Sequence, residues 1–341
     1  MTYKVTIQGD DRGFEAGPGE ALLDAALRAG VELPYGCRNG ACGSCKVRVV
    51  AGEVTYPGGT PAALPPAERA QGLALACRAV PASDLVIEVP RPAGDAASPK
   101  VVPARVDALE LLAPDVMRLW LVLPETVRVP YRAGQYLNVV LPDGRRRAFS
   151  IANAPHSDER IELHIRYVPG GDFTSHVFRG LKVKDLLRIE LPLGRFGLRE
   201  DSALPALLVA GGTGFAPLKA MLEHAFHVGL RRPLRLYWGA RSRAGLYLAD
   251  LPERWAAEHP HFSFTPVLSD PLPADGWRGR TGLVTDAVVE DHPDLSGFEV
   301  YVAGPPAMVD AAAKLFPVHR LPPERLYSDA FEFARDGARG G

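Results

Sequence analysis

The sequence predicts a multidomain chain of mixed class, α+β and α/β. A small mixed unit comes first, then an antiparallel β-barrel, then a doubly wound parallel sheet. Three observations carry this prediction. At about 150 residues per domain, the 341 residues divide into two or three domains, and an apolar content of 47% gives each a core. The stretch Arg91-Pro-Ala-Gly-Asp-Ala-Ala-Ser-Pro-Lys100 combines Pro, Gly and Ser with no apolar period, as an interdomain linker requires. Near Leu207 the pattern changes from short strands broken by Pro and Gly to alternating strand and helix.

The elements follow in order. Tyr3 to Ile7 alternates as a strand, and Glu20 to Ala29 places Leu22, Leu23, Ala26 and Leu27 on one helical face. Cys45 to Val50 and Leu85 to Val89 again read as strands, so the first unit closes near Pro90. From Val101 to about Glu200 the apolar runs 116–122, 136–141, 161–168 and 186–191 are evenly spaced between turns, which suggests the barrel. Beyond it come the strand 207–210, a glycine loop, a helix over 218–227, a strand at 234–238 and another at 300–303. These readings place domains at 1–92, 102–201 and 202–341, joined by a linker at 93–101.

Composition excludes several classes. With 39 basic and 40 acidic residues the formal charge is −1, so no global field draws the chain to nucleic acid or an anionic membrane. The uncharged stretch Ala203 to Leu218 is broken by Pro205, Pro217 and three glycines, too short and interrupted for a spanning helix. The first ten residues alternate polar and apolar and lead into Asp10 and Asp11, without the apolar region of a signal peptide. The expected location is the cytoplasm.

All four cysteines lie in the first quarter of the chain, as Cys37-Arg-Asn-Gly-Ala-Cys42-Gly-Ser-Cys45 followed by Cys77. A reducing compartment and three cysteines within nine residues disfavour two disulfides. Structural zinc is the rival, but zinc sites usually carry two short C-x2-C pairs and only Cys42 and Cys45 form one. The C-x4-C-x2-C…C spacing is that of plant-type [2Fe-2S] proteins. Gly36, Gly40 and Gly43 permit the tight wrapping such a loop needs and let backbone N–H groups point at sulfur. Residues 1–90 thus resemble plant-type ferredoxins, which implies a β-grasp sheet with one helix and makes Cys37, Cys42, Cys45 and Cys77 the cluster ligands. Arg38 and Arg78, beside ligands, either tune the potential of the cluster or are solvated loop charges.

In the barrel region Arg147-Ala-Phe-Ser150 is followed by Val168-Pro-Gly-Gly171-Asp-Phe-Thr174. A flavin needs an apolar wall, a hydroxyl or amide near N5, and a cation with free N–H groups at its pyrophosphate. Together the segments resemble the flavin domain of the ferredoxin-NADP reductase superfamily, with its R-x-[YF]-S motif. The resemblance implies FAD, with Phe149 against the ring, Ser150 near N5, and Arg147, Gly171 and Thr174 at the phosphates; Arg166 and Phe173 join the cofactor-binding set. Phe149 stands where Tyr is commoner, which removes one hydroxyl hydrogen bond and keeps the stacking. Without that context, the segment reads as a barrel strand ending in a buried Phe.

Leu207-Leu-Val-Ala210 leads through Gly211-Gly-Thr-Gly-Phe-Ala-Pro217 into a helix, whose N-terminus offers N–H groups to an anion. By itself this is also a plain αβ connection. It resembles the G-x-G-x-x-P loop of the same superfamily, at Gly212, Gly214 and Pro217, with Thr213 between. Tyr237-Trp-Gly239-Ala-Arg241 and Ala303-Gly304-Pro305-Pro306-Ala-Met308 close two further strands where nucleotides bind in such sheets, making Gly239, Arg241, Gly304, Pro305 and Met308 nucleotide contacts. Many relatives carry Cys at the position of Ala303. Arg241 and Arg243 are placed to hold a 2′-phosphate, and no acidic residue stands between them for a free 2′-OH. The overall pattern favours NADH, with NADPH as the alternative. Asp329-Ala-Phe331 resembles the terminal aromatic that covers the flavin, or is a core residue of the last strand; Ser150 and Phe331 are the candidate catalytic residues.

Hydride delivers two electrons and an iron–sulfur cluster accepts one, and a flavin mediates between them. No His-based metal motif competes, since His224 and His227 share a helix without another evident ligand. The order ferredoxin, flavin, nucleotide resembles the reductase components of multicomponent oxygenases acting on benzoate, terephthalate or phenol. It resembles equally the reductases of pyridoxamine-dependent CDP-sugar dehydrases. The partner implied is an oxygenase component first and such a dehydrase second, with NAD(P)H as donor. A zinc-bearing scaffold with an empty flavin domain is the remaining reading.

Overall fold

The computed structural model describes residues 2–9, 13–31, 33–35, 40, 43, 45–61, 64, 66–89 and 99–331. Gly36, Cys37, Arg38, Cys42 and linker residues 93–98 lie outside the described residues. The chain divides into two compact units, Met1–Asp95 with Leu326–Asp329, and Ala96–Arg325 with Ala330–Gly341.

The first unit contains β1 (Tyr3–Ile7), β2 (Gly13–Ala16), α1 (Leu22–Arg28), β3 (Lys46–Ala51), β4 (Val54–Thr55), α2 (Pro66–Ala70), β5 (Leu73–Leu75), β6 (Val80–Pro81) and β7 (Leu85–Glu88). Its main sheet runs β2-β1-β7-β3-β5. Only β1 and β7 pair in parallel; the other neighbours are antiparallel. This is the mixed sheet with a helix that the ferredoxin resemblance implies, with the short α2 added. Leu22, Leu23, Ala25 and Ala26 of α1 enter the core beside Val5, Val47 and Ile87. Leu27, expected on that face, is 36% exposed. At 3.6 residues per turn it lies about 140° from Leu22, whereas Ala25 lies about 60° away.

The second unit begins with β8 (Lys100–Ala113), so Lys100 and Val101, expected in the linker, are already paired with Leu191 and Glu190. It continues with β9 (Val116–Val122), β10 (Tyr136–Val140), β11 (Arg146–Ser150), β12 (Ile161–Arg166), α3 (Asp172–Arg179) and β13 (Leu186–Leu193). The order is β11-β10-β13-β8-β9-β12. A bridge from Ile151 to Leu163 joins the two edges and closes the expected antiparallel barrel. Leu119, Leu121, Leu137, Ile161, Leu163 and Ile165 fill it.

The α/β segment comprises β14 (Ala206–Gly211), α4 (Phe215–His227), β15 (Leu234–Ala240), α5 (Asp250–Glu258), β16 (Phe262–Leu268), β17 (Arg280–Thr281), α6 (Val284–Asp291), β18 (Glu299–Gly304) and α7 (Pro306–Val318). Its strands run β17-β16-β15-β14-β18, all parallel. The order reverses at β14, so a crevice opens between the carboxyl ends of β14 and β18. Pro217 sits in the first turn of α4, where its missing N–H has no helical acceptor. Among the described residues no helix is long and apolar enough to cross a membrane.

Candidate functional site

In the first unit, Cys45 immediately precedes β3 and Cys77 follows β5. The antiparallel register Lys46↔Leu75 sets the two segments side by side, and the Ala76 N–H donates to the Cys45 carbonyl at 3.0 Å. The two Sγ atoms are 3.2 Å apart, and both residues are buried. That is over 1 Å longer than a disulfide bond, so the two thiols stand side by side without a covalent bridge. Gly40 and Gly43 hold φ of +87° and +69°, left-handed values that suit the wrapping expected of this loop. The first N–H groups of α1 are satisfied from the same region, Leu23 donating to Ala76 O and Leu22 to Ala79 O, each at 2.9 Å. Arg78 is exposed.

In the second unit β11 pairs with β10, Ser150 opposite Tyr136 and Phe149 opposite Leu137. Arg147 and Phe149 share the half-buried face of β11, while Ser150 is buried. Burial and the nearby Arg145 push the Arg147 guanidinium below its ordinary pKa, while Asp172 and Asp143 act the other way. The Phe149 ring lies 5.4 Å from Phe173, which α3 carries. Gly171 caps α3, and Thr174 Oγ1 accepts the Val168 N–H at 3.2 Å while lying 3.3 Å from Gly171 O. The hydroxyl therefore fixes the 168–171 turn that presents the N-terminus of the helix. Asp172, in its first turn, is paired with Arg145 at 2.8 Å.

At the switch point two loops meet backbone to backbone. A Cβ on Gly214 would stand 1.9 Å from the Ala303 carbonyl oxygen, so no side chain fits. Gly211 abuts Met308 and Pro305, and Gly239 abuts Val284 in the same way. Thr213 and Pro217 are buried. The Trp238 indole donates to Gly212 O at 2.9 Å and stacks on Phe215 at 4.0 Å. Arg166, at the end of β12, lies over Gly212 and within 3.4 Å of Asp115. The half-buried Phe331 donates its N–H to Gly304 O at 2.9 Å. Ala303 is fully buried.

Arg241 is highly exposed and reaches Asp270 at 3.3 Å, and Asp275 accepts the Arg243 N–H at 3.2 Å. Acidic residues, absent between the two arginines in the sequence, are therefore supplied by the loop after β16, because the register Ala240↔Leu268 sets the two strand ends together.

The family description "2Fe-2S iron-sulfur cluster binding domain" matches residues 5–82, "Oxidoreductase FAD-binding domain" residues 103–197 and "Oxidoreductase NAD-binding domain" residues 208–314. The chain is 40% identical to the CDP-6-deoxy-L-threo-D-glycero-4-hexulose-3-dehydrase reductase of Yersinia pestis, over 97% of this chain and 99% of that one. This chain belongs to the iron–sulfur flavoprotein reductases. It is also 40% identical to the phenol 2-monooxygenase reductase component DmpP of Pseudomonas sp. (strain CF600), over 99% and 97% of the two chains. Among solved structures, the Amycolatopsis cytochrome P450 reductase GcoB is similar with a TM-score of 0.71 and 40% identity, over 97% and 99% of the chains. The reductase is therefore an NAD(P)H-dependent electron-transfer enzyme with domains for a [2Fe-2S] cluster, FAD and a nicotinamide dinucleotide. Its buried thiols, cationic strand and glycine crevice suit those groups.

Sequence reasoning missed a buried polar network in the reductase. Glu162 and His164 of β12, Lys219 and Glu223 of α4, and Tyr247 after β15 are joined by contacts of 2.8 to 3.0 Å. Burial would raise the Glu162 carboxyl, yet the His164 hydrogen bond and the Lys219 charge outweigh it and hold it down to about 2. Burial pushes the His164 imidazole down and the Glu223 carboxyl up. With Glu162 ionised and His164 neutral, Nε2 donates to Glu162 and Nδ1 accepts from the Tyr247 hydroxyl. Glu162, Lys219 and Glu223 also help line a cavity of about 490 Å³ with Trp120 and Trp255. His227, which lacked an evident partner in the sequence, stacks on His156 at 3.7 Å, and His224 meets Glu200 at 3.2 Å. Among the described residues no group of three His, Cys, Asp or Glu is placed to hold a metal ion.

Proposed function

We propose that the reductase passes electrons from NADH to the oxygenase component of an aromatic ring-hydroxylating or phenol-type system. The observation that carries this reading is the 40% identity to the phenol 2-monooxygenase reductase component over 99% of this chain. When bound, FAD takes up the electron pair of the nicotinamide hydride and the cluster releases electrons singly. Cys37, Cys42, Cys45 and Cys77 hold the cluster. Phe149 would back the flavin ring, Ser150 would offer its hydroxyl to the ring edge, and Arg147 with the N-terminus of α3 would neutralise the pyrophosphate. Gly171 and Thr174 shape that turn, and Arg166 and Phe173 complete the pocket. Gly212, Thr213, Gly214 and Pro217 form the floor for the dinucleotide, with Gly239, Arg241, Gly304, Pro305 and Met308 as walls. Phe331 would cover the flavin face and keep water from it.

NADH is the proposed donor because Asp270 and Asp275 offset the arginines that a 2′-phosphate would need; NADPH is the alternative. The proposed domain limits are 1–92, 100–201 and 202–341, with the linker shortened to 93–99 because Lys100 and Val101 pair within β8. The proposed location is the cytoplasm, where thiolates stay reduced for a cluster.

A second acceptor, a pyridoxamine-dependent CDP-sugar dehydrase, is favoured by the match to the Yersinia protein. The test is NADH oxidation by the holoenzyme coupled to product formation, first with a purified phenol or terephthalate oxygenase component, then with a CDP-sugar dehydrase. Hydroxylated product at the higher kcat/KM supports the oxygenase reading. Deoxysugar product alone overturns it in favour of the dehydrase. Iron, sulfide and flavin are measured on the same sample, and bleaching of both chromophores by NADH is the expected control.

A further inference from the structure

The strand β12 does more than close the barrel. Its odd residues Ile161, Leu163 and Ile165 fill the barrel core. Its even residues face the α/β segment, where Glu162 meets Lys219, His164 meets Tyr247 and Arg166 meets Gly212. Alternate positions on a strand are about 6.6 Å apart, so these three contacts span about 13 Å.

Each contact ends on an element that carries a cofactor loop. Lys219 is one turn into α4, the helix that starts at the glycine loop. Its ammonium donates to Glu162, to Glu223 and to the Ala152 carbonyl at 3.0 Å, which engages all three of its protons. Ala152 lies two residues beyond Ser150, on the continuation of the strand that carries Arg147 and Phe149. Tyr247 packs edge-on against Trp238 at 5.1 Å, and the Trp238 indole holds Gly212 O. An unbroken series of contacts therefore runs from the flavin strand through Lys219, Glu162, His164, Tyr247 and Trp238 to the glycine loop. Glu162, His164, Lys219 and Trp238 are buried and Tyr247 is half-buried, which strengthens these bonds over the same contacts in water.

We infer that Glu162, His164, Lys219 and Tyr247 are positioning residues for hydride transfer, setting the glycine loop in register with the flavin strand without touching either cofactor. The inference rests on the assignment of β11 and the glycine loop to FAD and NADH.

The test uses the holoenzyme and two variants, Glu162→Gln and Tyr247→Phe. The second removes a single oxygen and keeps the ring on Trp238, so it reports even where Glu162→Gln fails to fold. Flavin reduction is followed by stopped flow at saturating NADH. An ångström of misplacement is expected to slow that rate by about 10- to 100-fold, with the NADH dissociation constant, flavin content and dithionite reduction rate changed by less than about twofold. A primary isotope effect with 4-deuterated NADH is expected to persist, which locates the loss in the chemical step. Rates unchanged in a folded, flavin-replete Tyr247→Phe overturn the inference. So does a loss that tracks flavin content or melting temperature, which marks a structural role only. Failure of wild-type protein to bind flavin or react with NADH would instead overturn the underlying cofactor assignment.

Discussion

Glu20 in the first unit and Glu162 in the second are both held at a pKa of about 2, by different means. Glu20 takes hydrogen bonds from the Arg28 guanidinium and the Gly17 N–H, with the Arg28 side chain 57% exposed. Glu162 is 1% exposed and held by His164 and Lys219. The same shift has different consequences. In water the pair at Glu20 competes with solvent and salt and contributes little. In the interior, losing one partner strands a charge. The contrast extends to the two units. The first gathers its chemistry around thiols that a cluster organises, while the second fixes its loops by backbone contact and buried ion pairs.

The largest expected effect separates the units chemically. Cys77→Ser removes one of two thiols set 3.2 Å apart, and the expected outcome is loss of the cluster and of electron delivery to the acceptor. NADH-driven bleaching of the flavin persists. Iron analysis and stopped-flow spectra check both, and loss of flavin bleaching as well would show that the second unit depends on the first.

Next comes Lys219→Met, which leaves the buried Glu162 and the half-buried Glu223 beside an apolar side chain. Breaking a buried pair from one side costs about 3–5 kcal/mol. All four tryptophans, Trp120, Trp238, Trp255 and Trp277, belong to the second unit, so tryptophan fluorescence reports its unfolding while visible absorbance reports the cluster. The fluorescence transition is expected to fall and the cluster transition to stay. A common shift would mean that the two units unfold together.

The acid response sharpens the comparison. Unfolded, the Glu162 carboxyl binds a proton near 4.5, and folded only near 2. The unfolded chain therefore takes up more protons as pH falls through that window, and stability of about 3 kcal/mol drains away. His164, pushed down by burial, acts in the same direction from below its ordinary 6.5. Denaturant titrations read by tryptophan fluorescence are expected to show stability falling from pH 6.5 toward pH 2, with a shallower slope in Glu162→Gln below pH 4.5. An unchanged slope would place the acid sensitivity elsewhere.

Much of the fold was legible because local chemistry demands particular residue types. Four thiolates impose the cysteine spacing, and the close approach at Gly214 and Ala303 admits only glycine, so both signals stand out in a linear reading. The buried network was hidden by the same logic. Glu162, His164 and Arg166 alternate with Ile161, Leu163 and Ile165, which in a linear reading is a barrel strand with one face in water. The face is polar, but α4 and the Tyr247 loop cover it, and that follows from tertiary packing alone. Asp270 escaped for a similar reason, since it meets Arg241 across two parallel strands and 29 residues of chain. Leu27 was misplaced by a helix face drawn too wide.

The smallest expected effect is the other half of the opening contrast. Arg28→Ala removes the guanidinium that donates to both oxygens of Glu20 at 2.8 to 2.9 Å. Glu20 keeps the Gly17 N–H at 2.7 Å and gains water on its open side. The carboxyl is expected to rise toward its ordinary value, visible by NMR titration, while the cluster absorbance melts at an unchanged temperature. A pKa that moves without a change in stability is the signature of a solvated pair, because water replaces what the arginine supplied. A lowered melt would show that the Arg28 contact to the Glu15 carbonyl at 2.8 Å, rather than the ion pair, ties α1 to β2.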